Sequence, residues 1–279
     1  MRRSTSFVSA LVVAVLFASG HPARIAAQTD GAGGPFEQVL DLYVRDGLVY
    51  YRALKQERAR LDRYVASLEG KSLGTLPRNE QVAFWLNAYN ALVLKTVIDQ
   101  YPIRQRTKDY PSGSIRQLPG AFERQTHHVA GQTLTLDQIE QTMLSGFRDP
   151  RLYLAIGRGA MGSGRLRSEP FTATSLERQL VEVASECLTR ATCINIDRST
   201  NVVSISALFS WRQQSFVDAY TASAASVYSS RSPIERAVLA FAEPRLLTTE
   251  REFLAGNQFK VEFAPFDWAL NDLTGRGGR

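Results

Sequence analysis

The segment Phe84-Trp85-Leu86-Asn87-Ala88-Tyr89-Asn90-Ala91-Leu92-Val93-Leu94 is apolar on every side of a helix except for two asparagines. A helix that is hydrophobic all round has no face for water, so it must run through the middle of the fold. Its pattern extends from about Asn79 to Gln100, where Tyr101-Pro102 ends it. A buried Asn must satisfy two N–H donors and a carbonyl acceptor, and Asn is a poor helix former. Asn87 and Asn90, three apart, share a face and address one neighbouring segment. Either they tie adjacent loops to the core or their amides line a site.

Short elements surround this helix. Periodicity predicts helices over Phe36–Val44, Arg52–Leu68, Leu136–Leu144, Ser175–Leu188, Ser206–Tyr220 and Pro233–Phe241. Strands are expected at Leu152–Ile156, Ile194–Ile196, Val202–Ile205 and Lys260–Phe263, and a short strand or extended turn at Leu48–Tyr51. His127-His128-Val129 and Gln132-Thr133-Leu134 flank Ala130-Gly131 as a hairpin. The fold class expected is α+β, a single helix-rich domain with a small central β-sheet.

Residues 1–27 read as a secretory signal peptide. Arg2 and Arg3 form a positive start, Phe7 to Ala18 is apolar, and Ala26-Ala27 fits a cleavage site, with Gly20 as the alternative. The apolar run is too short to span a bilayer comfortably, and no Cys lies nearby to carry a lipid anchor. Removal takes away Arg2, Arg3 and Arg24, so the remaining chain carries +3 rather than +6. That charge and export argue against a nucleic-acid binder, which would usually show a denser Lys/Arg stripe. The expected location is periplasmic or secreted, with no stable membrane span after cleavage. The segment 28–44 is an N-terminal stretch with the first helix, 45–272 the main domain and 273–279 a flexible tail. The two cysteines, Cys187 and Cys193, fit a disulfide from a helix end to the next strand in an oxidising compartment. A catalytic thiol is the alternative, and it would need a positioned base.

A series of motifs accompanies the central helix in order: Gly47-Leu48-Val49-Tyr50-Tyr51 with Leu54; Leu134-Thr135-Leu136-Asp137-Gln138-Ile139-Glu140; Asp149-Pro150-Arg151; Ser206, Phe209, Trp211 and Phe216; and Asp267-Trp268-Ala269-Leu270-Asn271. Together with the helix they resemble the domain of unknown function 547 family, found in bacteria and plants, over roughly residues 45–272. The resemblance implies no established activity. It does expose departures. Relatives carry His after the Ile-Glu pair, where this chain has Gln141, and His after Asp-Pro-Arg-x, where it has Tyr153. They carry two Cys at positions that align with Arg158 and Ser163. If typical members are thiol enzymes, this chain is a degenerate relative.

Gly157-Arg158-Gly159-Ala160-Met161-Gly162 spells G-x-G-x-x-G. A dinucleotide site needs a helix opening there, but Arg165, Arg167 and Pro170 follow and the helix starts only near Ser175. No cofactor is implied, and the loop reads as a turn shaped for close backbone approach. Arg158, Arg165 and Arg167 are either solvated, paired with Glu169, or set beside exposed N–H groups that favour anions. His127-His128 lacks a third ligand, so no metal site is expected.

The reading favoured is an exported, non-catalytic protein that binds an anionic small molecule or envelope component. Its cleft would be lined by Gly157–Gly164, by Asn87 and Asn90, and by Asp267–Asn271. Arg158 would meet the anion, with Ser163, Glu140, Asp267 and Asn271 as further candidates. One alternative is an envelope hydrolase using Ser163 with His127 or His128, or carboxylates such as Glu140 and Asp267. The other is a structural envelope protein in which Asn87 matters for stability alone.

Overall fold

The computed structural model describes residues 34–274. The expected signal peptide and the tail from 275 lie outside them. The chain begins with α1 (Pro35–Tyr43), a short ribbon of β1 (Val44–Arg45) and β2 (Leu48–Val49), then α2 (Tyr51–Gln56) and α3 (Ala59–Ser67). The single helix expected over Arg52–Leu68 is thus two. They part at Glu57, whose carboxylate accepts from the Tyr43 hydroxyl at 2.7 Å. Helix α1 buries Phe36, Val39, Leu40 and Tyr43 in the same core as the rest of the chain.

Helix α4 (Arg78–Gln100) is the axis of the fold. Fifteen of its residues are buried, from Val82 to Ile98, on all sides. Full burial of an aliphatic side chain such as Leu86 or Leu92 stabilises by about 1.5–3 kcal/mol.

Beyond a long loop, β3 (Thr126–Val129) and β4 (Gln132–Thr135) form the expected hairpin, with Val129 opposite Gln132. Next, α5 (Leu136–Gln138) is capped by Thr135, whose hydroxyl accepts from Gln138 N while the Gln138 side chain answers at Thr135 N. It widens directly into a π-helix over Ile139–Leu144, a geometry often found at functional sites.

The expected strand at Leu152–Ile156 is instead helix α6 (Leu152–Ala155), followed by extended backbone. Asp149 Oδ1 accepts from Arg151 N at 3.0 Å and Pro150 presets the first turn, so the Asp-Pro pair starts a helix. Helix α7 (Leu176–Leu188) leads to β5 (Ile194–Asp197) and β6 (Val202–Ser206). The expected helix over Ser206–Tyr220 is α8 (Ala207–Trp211) and α9 (Gln213–Tyr220), broken at Arg212. After α10 (Pro233–Ala242) and α11 (Thr248–Ala255), β7 (Lys260–Ala264) pairs parallel to β6, while β5 pairs antiparallel to it.

The architecture is α+β and helix-rich, with the strands of the described residues shared among three small sheets where one central sheet was expected. Where the tail was expected to begin, Leu273 N still donates to Val49 O at 2.9 Å. No helix among the described residues is long and apolar enough to cross a membrane.

Candidate functional site

The two asparagines of α4 make backbone bonds. Asn87 donates to Phe171 O at 2.8 Å and accepts from Phe171 N at 2.9 Å. Asn90 accepts from Gly157 N at 2.7 Å and donates to Ala155 O at 3.3 Å. Each amide thus replaces a strand partner for a loop that has none. Of the two readings these bonds fit loop anchoring, and the amides address two loops where one neighbouring segment was expected.

The three segments expected to converge do meet. Beside the Asn90 contact, Met161 N donates to Ala269 O and Gly162 N to Asp267 O, both at 2.8 Å. Their polar atoms are used on one another, so no cleft opens between them. Gly164 shows why the loop needs glycine: a Cβ there would lie 1.6 Å from Leu154 O. Asn271 accepts from the Tyr51 hydroxyl at 2.7 Å and donates to Gly47 O at 2.9 Å, pinning the first ribbon to the chain's end. Asp267 is exposed and accepts from Ala269 N, a local turn. Neither lines a ligand cleft.

The charged centre lies on the far side of Arg158. This residue is 3% exposed and lies at the floor of a cleft rather than projecting into it. Its Nη2 donates to Glu140 Oε1 at 2.7 Å and its Nη1 to Tyr153 O at 3.3 Å. The same Glu140 oxygen accepts from Arg212 Nε at 3.0 Å and Nη2 at 2.7 Å. The other Glu140 oxygen is 3.4 Å from the Tyr89 hydroxyl, which donates from the central helix. Burial alone would raise the Glu140 pKa, but the charges and hydrogen bonds of Arg158 and Arg212 outweigh it and hold the carboxyl below its ordinary value. Burial likewise works against the charge on Arg158, and Glu140 more than restores it. Tyr89 is pushed well up by burial and by the Glu140 charge, so it stays a neutral donor.

A cleft of about 160 Å³ opens over this pair, walled by Arg116, Phe122, Asp137, Trp211, Arg212 and Trp268. A shallower depression of about 340 Å³ adjoins it, sharing Gln141, Trp211 and Arg212 and adding Tyr153, Gln213 and Gln214. Arg116 stacks over Phe122 at 4.6 Å and Trp268 at 4.7 Å, and Arg212 over Tyr153 at 5.5 Å. Arg116 also pairs with Glu123. The Asp137 carboxyl, half-buried, is raised by burial and by the charges of Glu123 and Glu140.

Three of the four positions expected from the resemblance to be departures, Gln141, Tyr153 and Arg158, gather around Glu140 and Arg212. The fourth, Ser163, is buried behind them, its hydroxyl accepting from Arg158 N at 2.9 Å. His128 Nδ1 bonds Thr133 Oγ1 at 3.1 Å, and His127 feels Lys95 and Asp99, so neither hydrogen-bonds Ser163. Arg165 pairs with Asp46 and Glu186, and Arg167 with Glu169 and Glu182, so both take part in ion pairs. Among the described residues no group of three His, Cys, Asp or Glu side chains could hold a metal.

Cys187 and Cys193 form a disulfide. Inside the loop it closes, Arg190 donates to Met161 O and Ser163 O, each at 2.9 Å, and so holds the glycine loop from outside.

Arg116, Arg212 and the exposed face of Trp211 were not legible as site residues. Arg116 lies in a loop rich in Pro, Gly and Ser. The available signal was Trp211-Arg212, a large aromatic and a cation adjoining inside an otherwise amphipathic helical pattern.

Residues 73–188, about two fifths of the chain, match the family described as Protein of unknown function, DUF547. This segment holds Asn87, Asn90, Glu140, Arg158 and both loops that the asparagines anchor. No curated protein and no solved structure matches the chain.

Proposed function

We propose, from the match to the DUF547 family over residues 73–188, that the chain is an exported, non-catalytic protein whose cleft over Glu140 and Arg158 binds an anionic small molecule or envelope component. One observation carries the reading: Arg212. It is anchored to Glu140 yet keeps 23% of its side chain exposed. Hydrogen bonds to Glu140 and to Trp211 O use three of its five N–H groups. Two guanidinium groups share the Glu140 carboxylate, and the cleft is lined by three arginines, Arg116, Arg158 and Arg212, against the two carboxyls of Asp137 and Glu140. An anion there gains more than in open water. Residues 1–27 would be the export signal, and the Cys187–Cys193 bridge supports an oxidising destination.

A thermal-shift panel of phosphate, dicarboxylates and acidic glycans on wild type and Arg212→Met tests this reading. A ligand at about 100 times its Kd adds about 2.7 kcal/mol, roughly 5–10 °C for a domain of this size. The shift should vanish in Arg212→Met. No shift with any anion rejects the reading.

Asp137 favours a second reading, an envelope hydrolase working through carboxylates. A raised acid beside an ionised Glu140 in one cleft is a pattern of acid–base sites. Turnover lost in Asp137→Asn, with a pH–rate limb that moves, would support it.

A further inference from the structure

We infer that the ligand of this cleft is an acidic saccharide, with a sugar ring laid on Trp211 and its carboxylate on Arg212. The inference rests on the anion reading above and narrows it. The carrying feature is an aromatic platform at the mouth of the cleft. Trp211 and Trp268 stack with ring centres 6.0 Å apart and planes 21° from parallel. Phe266 packs beside both, 4.9 Å from Trp211 and 4.5 Å from Trp268, and Tyr110 meets Trp268 edge-on at 6.1 Å. These rings come from three separate stretches of chain, yet Trp211 is left 41% exposed. An indole so placed keeps apolar surface in water that burial elsewhere would have removed. Its neighbours fix it at low entropic cost, which is how a stacking surface is pre-organised.

A flat ring face selects a ligand with a flat apolar face. Aromatic acids and pyranose rings both have one. The surroundings separate the two. The adjoining depression is lined by Gln141, Ser145, Gln213, Gln214 and Ser215, amides and hydroxyls that both donate and accept. An aromatic acid has nothing to offer them, whereas a sugar carries hydroxyls around its rim. The depression is continuous with the cleft through Gln141, Trp211 and Arg212, so the surface accommodates more than one ring. Arg212 adds the requirement for a carboxylate beside the stacked ring.

The test titrates the full chain with tetragalacturonate, with the neutral maltotetraose, with benzoate and with acetate, following calorimetry and tryptophan fluorescence. Tetragalacturonate should bind at least tenfold more tightly than any of the other three. Trp211→Ala should weaken it about tenfold in a chain that still unfolds cooperatively, Trp211→Phe should recover part of the loss, and Arg212→Met should abolish the preference over maltotetraose. If acetate and benzoate bind through Arg212 but tetragalacturonate binds no better, the saccharide is rejected while the anion reading stands. Equal binding of maltotetraose, or tetragalacturonate binding that ignores Arg212, also overturns the inference. If no anion binds at all, the anion reading fails and the inference fails with it.

Discussion

Arg158 Nη2 and Glu140 Oε1 stand 2.7 Å apart with 3% and 4% of their side chains exposed. Arg158 is ion-paired with Glu140, and Glu140 is in turn shared with Arg212, so losing the carboxylate leaves two guanidinium groups without it. Removing one partner of a buried pair costs about 3–5 kcal/mol. Glu140→Gln and Arg158→Met should each lower the stability read from urea unfolding by that amount. Arg212→Met should cost clearly less, since Arg212 reaches solvent. Equal losses from all three would contradict the division into a buried support and an exposed contact.

Asn87→Ala removes both bonds to Phe171 and strands a buried donor and acceptor. Each orphaned group costs about 1–3 kcal/mol. The expected outcome is a lower melting temperature with the anion-induced shift retained, since Asn87 does not line the cleft. A lost shift in a folded variant would return the asparagine to the site.

Gly164→Ala would force the loop off the Leu154 carbonyl, because backbone on both sides has no rotamer to yield. A loss of more than about 3 kcal/mol is expected, at the severe end for single substitutions. A soluble variant with wild-type unfolding would show that the loop has room.

His127 is held down to about 4 from 6.5, first by burial and then by the charge of Lys95. The unfolded chain takes up a proton in that window and the folded one does not. Stability is therefore whole above about pH 6.5 and falls as pH drops toward 4, by on the order of 1–3 kcal/mol. Glu140, held low in the fold, adds its own loss at still lower pH. His127→Gln should flatten the melting-temperature profile between pH 6.5 and 4 and leave the more acidic limb. An unchanged profile would place the titration elsewhere.

The disulfide closes a short loop, so its effect on the unfolded chain is only about 2 kcal/mol. Its local effect is on Arg190. Replacing Cys187 and Cys193 by Ser should speed hydrogen exchange at Met161 and Gly162 more than at residues of the central helix. Uniform acceleration would mean the bridge acts on global stability alone.

What the sequence made legible was local. An apolar helix with two Asn has few solutions, and the pairing of those amides follows from the cost of leaving them bare. The glycine loop read as a close turn, and Gly164 meets a carbonyl. Leu152–Ile156 was illegible because a five-residue apolar run suits strand or helix equally, and the decision fell to Asp149-Pro150 upstream. The helices broke at Glu57 and Arg212, where tertiary packing rather than propensity decides. The cleft was hardest to read, since Arg116, Glu140 and Arg212 approach one another through packing across distant parts of the chain. Arg158 was singled out, but burial turned it from a contact into a support.

The glycine at 164 bears on how such a chain can diverge. Every other residue adds at least one carbon where Leu154 already stands, so the path of the loop is closed to stepwise change. Gln141, Tyr153 and Arg158 contribute side chains on a frame held by Gly164, Asn87 and Asn90. Their chemistry can be exchanged while the frame keeps its course. A frame built this way is a socket, in which side chains at those three positions can be changed without the backbone being rerouted.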